Sequence, residues 1–318
     1  MVKKLSLFII SILFVLIAAA CGSSNSSEQA NASEEPKKES EEITITHKLG
    51  EVTFNKNPEK VVVFDFGTLD TLDKLGVEVA GLPKENIPQY LSKYEDEKYE
   101  NTGSLKEPDF EKIHEIGPDL IIISGRQADL YDQFSEIAPT IYVELDQTKY
   151  MESFKNNATM IAEIFGKEEV VKEELAAIEE TVKKVKEEAS ATGKNALVIL
   201  ANDGKVSAFG PSSRFGIIHD ELGVTPVDEN LEVSQHGQSI TFEYIVEKNP
   251  DYLFVIDRGA VVGGESSAKQ VVENDLVKTT KAFKEGNIVY LDPGYWYLSG
   301  GGLISVAEMA KQIQEGMK

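Results

Sequence analysis

The sequence predicts an α/β protein of two lobes joined by a long helix. Three observations predict it. Short apolar runs of strand type alternate with helical segments on both sides of the chain's middle. Between them lies Glu152–Ala189, a proline-free stretch rich in Glu, Lys and Ala with apolar residues at helical spacing. An ungapped internal repeat, offset by 132 residues, relates the two sides. The size agrees, since 318 residues exceed one average domain and 41% of them are hydrophobic.

At the start, Lys3 and Lys4 precede an apolar run from Leu5 to Ala20. Its 16 residues are short for a membrane span and sized for a signal-peptide core. The run ends in Ala18-Ala19-Ala20-Cys21-Gly22, small residues directly before the only cysteine. This resembles a lipobox, with Ala18 where leucine is usual. Residues 1–20 are therefore expected to be a removed signal peptide and Cys21 a lipidated residue. The stretch 22–42 has no apolar side chain larger than alanine, so 21–42 is expected to be a disordered tether. Two acyl chains on one cysteine suffice for stable anchoring.

The folded part is expected to open with a hairpin, Ile43–Thr46 and Glu51–Phe54 around Lys48-Leu49-Gly50. Val61–Phe64 reads as a buried parallel strand, and Leu69, Leu72 and Leu75 mark a helix ending at Gly76. A short helix over Pro108–Glu115 leads into the strand Leu120–Ile123; residues 127–138 read as a helix and Ile141–Val143 as a strand. Phe165-Gly166-Lys167 breaks the long helical stretch, leaving a connecting helix. The expected division is 43–166 for the first lobe, 167–192 for the connecting helix and 193–318 for the second lobe. In that lobe Ala196–Leu200, Val206–Phe209, Tyr252–Ile256 and Ile288–Leu291 read as strands, and Ile304–Gln314 as the last helix.

The repeat sets Phe110–Asp119 (FEKIHEIGPD) against Phe242–Asp251 (FEYIVEKNPD), and it continues through the following strands to Arg126 and Arg258. These two and Arg214 are the only arginines; the other 29 basic side chains are lysines. Arginine is a planar fork that binds carboxylate or catecholate oxygens in pairs and tolerates desolvation better than lysine. Arg126 and Arg258 follow strand ends, where open α/β sheets place ligand. Arg214 lies in the turn-rich loop Gly210–Gly216. The plain alternative is that each arginine pairs with a carboxylate of this acidic chain. The equivalence of two of them in the repeat favours an anion site between the lobes, for a ligand of charge about −3.

The segment Asp292–Gly302 holds the only tryptophan, Trp296, with Tyr295 and Tyr297 beside it. Trp296 and Tyr295 are expected as a flat wall for an aromatic ligand, and Phe209 and Phe215, which bracket Arg214, as similar contacts. His236, in the polar loop Ser234–Gln238, is a further cleft candidate. Glu111 and Glu243 occupy equivalent second positions of the repeated helices, where the helix dipole already accounts for a carboxylate. They also supply one exposed acid per lobe for a two-fold partner. A net charge of −22 excludes nucleic acid and anionic lipid as partners. One cysteine excludes a disulfide framework, and four histidines at no ligand spacing leave no metal cage. No catalytic constellation emerges, so no enzyme is expected.

The signal peptide and lipobox, ITITHKLGEVTF, NPEKVVVFD, PDFEKIHEIGPDLIII, the long middle helix and TFEYIVEKNPDYLFVI resemble the extracytoplasmic binding proteins of iron–siderophore ABC importers. The resemblance covers residues 43–318; the arginines, Trp296 and the lipoprotein start look closest to petrobactin-binding lipoproteins of Gram-positive bacteria. It implies two Rossmann-like lobes on one rigid helix, the class III periplasmic-binding-protein architecture. It also implies a monomer, lipid-anchored to the outer face of the cell membrane, that clamps a ferric siderophore. Iron is then held by the siderophore, with no cofactor and no metal-binding side chain. A glutamate of each lobe, at the positions of Glu111 and Glu243, would dock on an ABC permease served by its ATPase subunits. The family's arginine before the first long strand is Lys60 here. Within the class, cobalamin or haem is the alternative ligand; outside it, an extracellular hydrolase or an adhesive lipoprotein.

Overall fold

Val61–Val63 and Leu120–Ile123 are unbroken apolar runs, and such strands need cover on both faces. The structure, a computed structural model describing residues 41–318, pairs them in parallel at the centre of a five-stranded sheet. Its order is Glu100–Asn101, Gly81–Leu82, Val61–Val63, Leu120–Ile123, Thr140–Tyr142, and every pairing is parallel. Val61, Val63, Leu120 and Ile122 enter one apolar cluster; Val62, Phe64, Ile121 and Ile123 enter another on the opposite face. The expected signal peptide, the Cys21 lipidation site and the tether to residue 40 lie outside the described residues. The hairpin stands apart as a two-stranded sheet, Glu42–His47 with Gly50–Asn55.

The second sheet runs Gln238–Ile240, Lys205–Phe209, Asn195–Asn202, Tyr252–Asp257, Ile288–Leu291, with Thr225–Pro226 also paired to Asn195–Asn202. It is mixed, because Lys205–Phe209 turns back antiparallel to Asn195–Asn202. The cause is local. Asp203 and Gly204 take φ of 46° and 79°, and Asn202 pairs with Lys205 across them, a two-residue turn suited to a hairpin.

The sequence repeat is also a structural one. Phe110–Ile116 and Phe242–Lys248 are both helices of seven residues. The side chains of Asp109 and Thr241 cap them by accepting from the N–H of Lys112 and Tyr244, and left-handed Gly117 and Asn249 end them. Asp119 accepts the Lys60 N–H at 2.9 Å and Asp251 the Asn195 N–H at 3.1 Å. Each aspartate thereby fixes the start of its strand to its neighbour's. The helix expected over 127–138 forms differently, as a 3-10 turn Gly125–Leu130 followed by a short helix Tyr131–Ser135. Buried Gln127 explains this: its amide accepts from Ser124 N–H and donates to the Leu105 carbonyl, tightening the turn.

Gly166, left-handed at φ 60°, divides the middle stretch into helices Tyr150–Phe165 and Glu168–Thr192. The second has 25 residues and reaches about 37 Å at 1.5 Å per residue. Its buried stripe of Val171, Ile178, Val182, Val185 and Ala189 packs on Tyr150–Phe165 and on the C-terminal helix Leu303–Gly316. One apolar cluster therefore runs from Val61 and Ile122 of the first sheet, through Ile178 and Val182, to Val198 and Phe254 of the second.

The halves also meet at a tight polar seam. A Cβ at Gly67, in the first helix Phe66–Lys74, would stand 2.5 Å from the Gly300 carbonyl oxygen; one at Gly302 would stand 2.3 Å from the Asp70 carboxyl carbon. Only glycine permits that approach. Asp70 is fully buried and accepts the N–H groups of Ile304 and Ser305 at 2.7 Å each, and the Tyr90 hydroxyl at 2.9 Å. A side chain of one half thus caps the first turn of a helix in the other. Burial pushes the Asp70 carboxyl up to about 6, against the pull of these donors.

Because that value lies above the ordinary 3.8, Asp70's contribution to stability is complete below about pH 4 and is lost as pH rises through about 6. Asp70→Asn removes this component and turns an amide donor toward one backbone N–H. Melting curves from pH 4 to 7 should show the variant less stable by about 1–3 kcal/mol in acid, with the gap narrowing as pH rises. A gap that does not change across that window contradicts the assignment.

Candidate functional site

In open α/β sheets the crevice lies beyond the carboxyl ends of the strands. Arg126 follows the strand Leu120–Ile123, Arg258 follows Tyr252–Asp257, and Arg214 lies in the loop after Lys205–Phe209. All three line one cleft of about 490 Å³, walled by residues of both halves, a volume suited to a small molecule. Among the described residues every ion pair is made by a lysine, and no arginine touches a carboxylate. Arg258 and Arg214 are held by neutral partners instead, and Arg126 is exposed. Arg258 donates through Nε to the Tyr297 hydroxyl and through Nη1 to Asn202 Oδ1, both at 2.7 Å. Arg214 donates through Nη2 to the Tyr297 carbonyl at 2.7 Å, and its guanidinium lies 4.3 Å from the Tyr297 ring and 5.4 Å from that of Phe215. Such partners orient the forks and leave their charge uncancelled.

The cations act on one another. Burial holds Arg214 below its ordinary value, and Arg126 and Arg258 push the same way. Burial acts to raise the Tyr297 phenol, but the Arg258 hydrogen bond and the charges of Arg214, Arg258 and Arg126 outweigh it and bring the phenol down. Lys106 adds a fourth cation to the lining. Two carboxylates face them, Asp65 and Glu144. Asp65 caps the first helix, accepting the Thr68 N–H at 2.7 Å and its hydroxyl at 3.0 Å; Glu144 pairs with Lys48 at 2.6 Å. Positive charge therefore prevails in the cleft, although the chain carries −22. Among the described residues no cluster of three or more His, Cys, Asp or Glu side chains could hold a metal ion.

Of the residues expected at the site, Arg126, Arg214, Arg258, His236 and Trp296 line this cleft. Trp296 presents little of itself: it is 3% exposed, and its indole N–H donates to Gln312 Oε1 at 3.1 Å. Tyr295, Phe209 and Phe215 are not among the lining residues. Tyr295 packs on Tyr90 with ring centroids 4.3 Å apart. Phe209 and Phe215 pack edge to face in the core at 4.6 Å, and Phe215 lies against Arg214 there. Apolar rings beside a buried guanidinium back it more readily than they face water. Tyr297, which the sequence reading passed over, lines the cleft, as do Tyr142 and Tyr150. The segment Gly294–Ser299 winds as a π-helix, so alternation gives no guide to which ring faces out. Glu111 and Glu243 are exposed, without ion pairs among the described residues, and the N–H of Glu243 itself, then the Thr241 hydroxyl, hold the Glu243 carboxyl below the usual range.

The family described as "Periplasmic binding protein" matches residues 61–295, a span that includes both sheets' central strands and all three arginines. The chain is 54% identical over 320 residues to the petrobactin-binding protein YclQ of Bacillus subtilis, covering 99% of each. It is 33% identical over 285 residues to the ferric-anguibactin-binding protein FatB of Vibrio anguillarum, covering 86% of this chain and 87% of that one. The crystal structure of YclQ from Bacillus subtilis superposes with a TM-score of 0.86 at 58% identity, over 87% of this chain and 99% of that one. The periplasmic catecholate-siderophore binding protein VctP of Vibrio cholerae gives 0.82 at 36%, over 86% and 100%. The overall fold is thus shared with these proteins, and the chain belongs to the periplasmic binding protein family.

Proposed function

We propose that this chain is an extracytoplasmic receptor that binds an anionic ferric siderophore, catecholate or citrate in type and petrobactin-like, and delivers it to an ABC permease for iron uptake. The observation that carries this reading is the convergence of Arg126, Arg214 and Arg258 on one cleft, with Arg214 and Arg258 held by neutral partners. Ferric iron wrapped by six anionic oxygens keeps a charge of about −3, which three guanidiniums balance with directed bonds. The relatives, a petrobactin-binding and a ferric-anguibactin-binding protein, point the same way, and the chain spans nearly their whole length. Iron is cargo in this reading, enclosed by its chelator, and no side chain of the receptor touches it. We assign the chain no cofactor and no catalytic residue.

The remaining parts of the reading follow from the sequence. Cys21 carries the lipid that holds a monomer on the outer face of the membrane, and residues to 40 form its leash; the tether expected to run to 42 stops short because Glu42 already pairs with Asn55 in the hairpin. The lobes are 43–166 and 193–318, with 167–192 as a stiff connector that permits modest closure on ligand. Glu111 and Glu243, one per lobe and equivalent in the repeat, dock on the permease. Haem is the competing ligand that a specific feature favours, since His236 and Tyr297 line the cleft. Against it, the Tyr297 hydroxyl is already taken by Arg258.

Trp296, the only tryptophan, serves as an intrinsic reporter. Its fluorescence should quench on titration with a ferric catecholate siderophore, with an affinity at least about 100-fold tighter than for a neutral ferric hydroxamate. Equal affinity for the two would remove the charge argument, and a haem spectrum on titration with haemin would favour the competing ligand. Arg258→Lys keeps the charge and loses the fork, so we expect binding to weaken by about 10-fold. Glu111→Ala combined with Glu243→Ala should leave ligand affinity within about two-fold, because neither residue lines the cleft, while siderophore uptake by cells falls. Cys21→Ser should move the protein from the membrane fraction to the medium.

A further inference from the structure

Glu144 is the one cleft carboxylate that takes no part in capping a helix. It follows the strand Thr140–Tyr142; its carbonyl accepts from Asn157 Nδ2 at 2.8 Å and its carboxylate meets Lys48 Nζ at 2.6 Å. Lys48 belongs to neither large sheet. It forms the turn of the hairpin Glu42–His47/Gly50–Asn55, which is docked on the first half through His47. That imidazole lies 3.3 Å from the Thr140 carbonyl through Nε2 and 5.4 Å from the Tyr131 ring. A groove of about 500 Å³ runs along the outer side of the same edge. It shares Tyr142, Glu144 and Asn157 with the cleft, and Lys48 lines the groove alone. The ion pair therefore stands on the partition, its acid facing both spaces and its base only the outer one.

A carboxylate that lines the same cleft as guanidiniums with no acid of their own has a second option, which is to turn inward and pair with one of them. That would cancel charge an anionic ligand needs and fill part of its space. Lys48 supplies the competing cation on the other side. At 63% and 42% side-chain exposure the pair adds little to folding stability, so its place on the partition is not explained by the fold. Taking the cleft as the anion site argued above, we propose that Lys48 is a specificity-determining residue: it holds Glu144 on the outer side of the partition and leaves the arginines free for a polyanionic chelate.

The test uses the full chain with Lys48→Met, an exposed turn position, and Lys48→Met combined with Glu144→Gln. With a ferric triscatecholate as probe, Lys48→Met should weaken binding by about 3- to 10-fold at low salt and less at physiological salt. A neutral ferric hydroxamate should be unaffected, and the double variant should bind like the wild type. A ligand-free readout accompanies it, the pH titration of Tyr297 in protein labelled with 13C-tyrosine, assigned with Tyr297→Phe. An inward carboxylate opposes the arginines, so Lys48→Met should raise the Tyr297 midpoint and the double variant should return it. Equal weakening in both variants, or a Tyr297 midpoint unmoved by Lys48→Met, overturns the proposal. If wild-type protein binds no ferric triscatecholate, the receptor reading fails, and the Tyr297 titration still decides the role of Lys48.

Discussion

A charged side chain taken fully out of water persists only where donors surround it, and Asp70 obtains them by reaching across the molecule. Its partners are two helix-terminal amides and the Tyr90 phenol, all supplied at 2.7–2.9 Å. Satisfying that one group fixes the start of the C-terminal helix against the first helix. It also brings Gly300–Gly302 within touching distance of Gly67. The floor of the cleft is built from the same strip, with Thr68 and Thr71 on one side and Ser299, Gly300 and Gly301 on the other. Where the arginines stand relative to each other depends on this seam as much as on the sheets that carry them.

Charge is sorted by residue type. Lysines make the ion pairs of an acidic surface, where a flexible ammonium loses little by sharing a carboxylate with solvent. Arginines are confined to the cleft, where carbonyl, hydroxyl and amide oxygens orient Arg214 and Arg258. The result is a small positive site inside a strongly negative envelope. Repulsion from the envelope acts over a Debye length in salt, whereas the cleft acts at contact, so the two fields need not conflict.

How far the sequence could be read depended on whether a signal was local or assembled. Arg126 and Arg258 were legible because the repeat places them at equivalent strand ends, and Arg214 because it shared their rarity. The connecting helix was legible from its composition and from Gly166. Asp203-Gly204 was legible in principle as a hairpin dipeptide, and passing over it hid the antiparallel turn of the second sheet. Tyr297 was not legible, since a π-helical segment offers no periodic rule for choosing among three adjacent rings. Asp70 had left a trace, an aspartate amid Phe66, Leu69 and Leu72, but its donors come from more than 230 residues away. Phe209 and Phe215 carried the right chemistry for a cleft wall and were drawn instead behind the guanidinium they flank.

The repeat has one break. Arg126 and Arg258 are counterparts at the offset of 132, yet the residue at that offset before Arg214 is Leu82, which is fully buried. Two guanidiniums obey the repeat and the third has no counterpart in it. The charge that lines the cleft is therefore lopsided, with two forks supplied by the second half and one by the first.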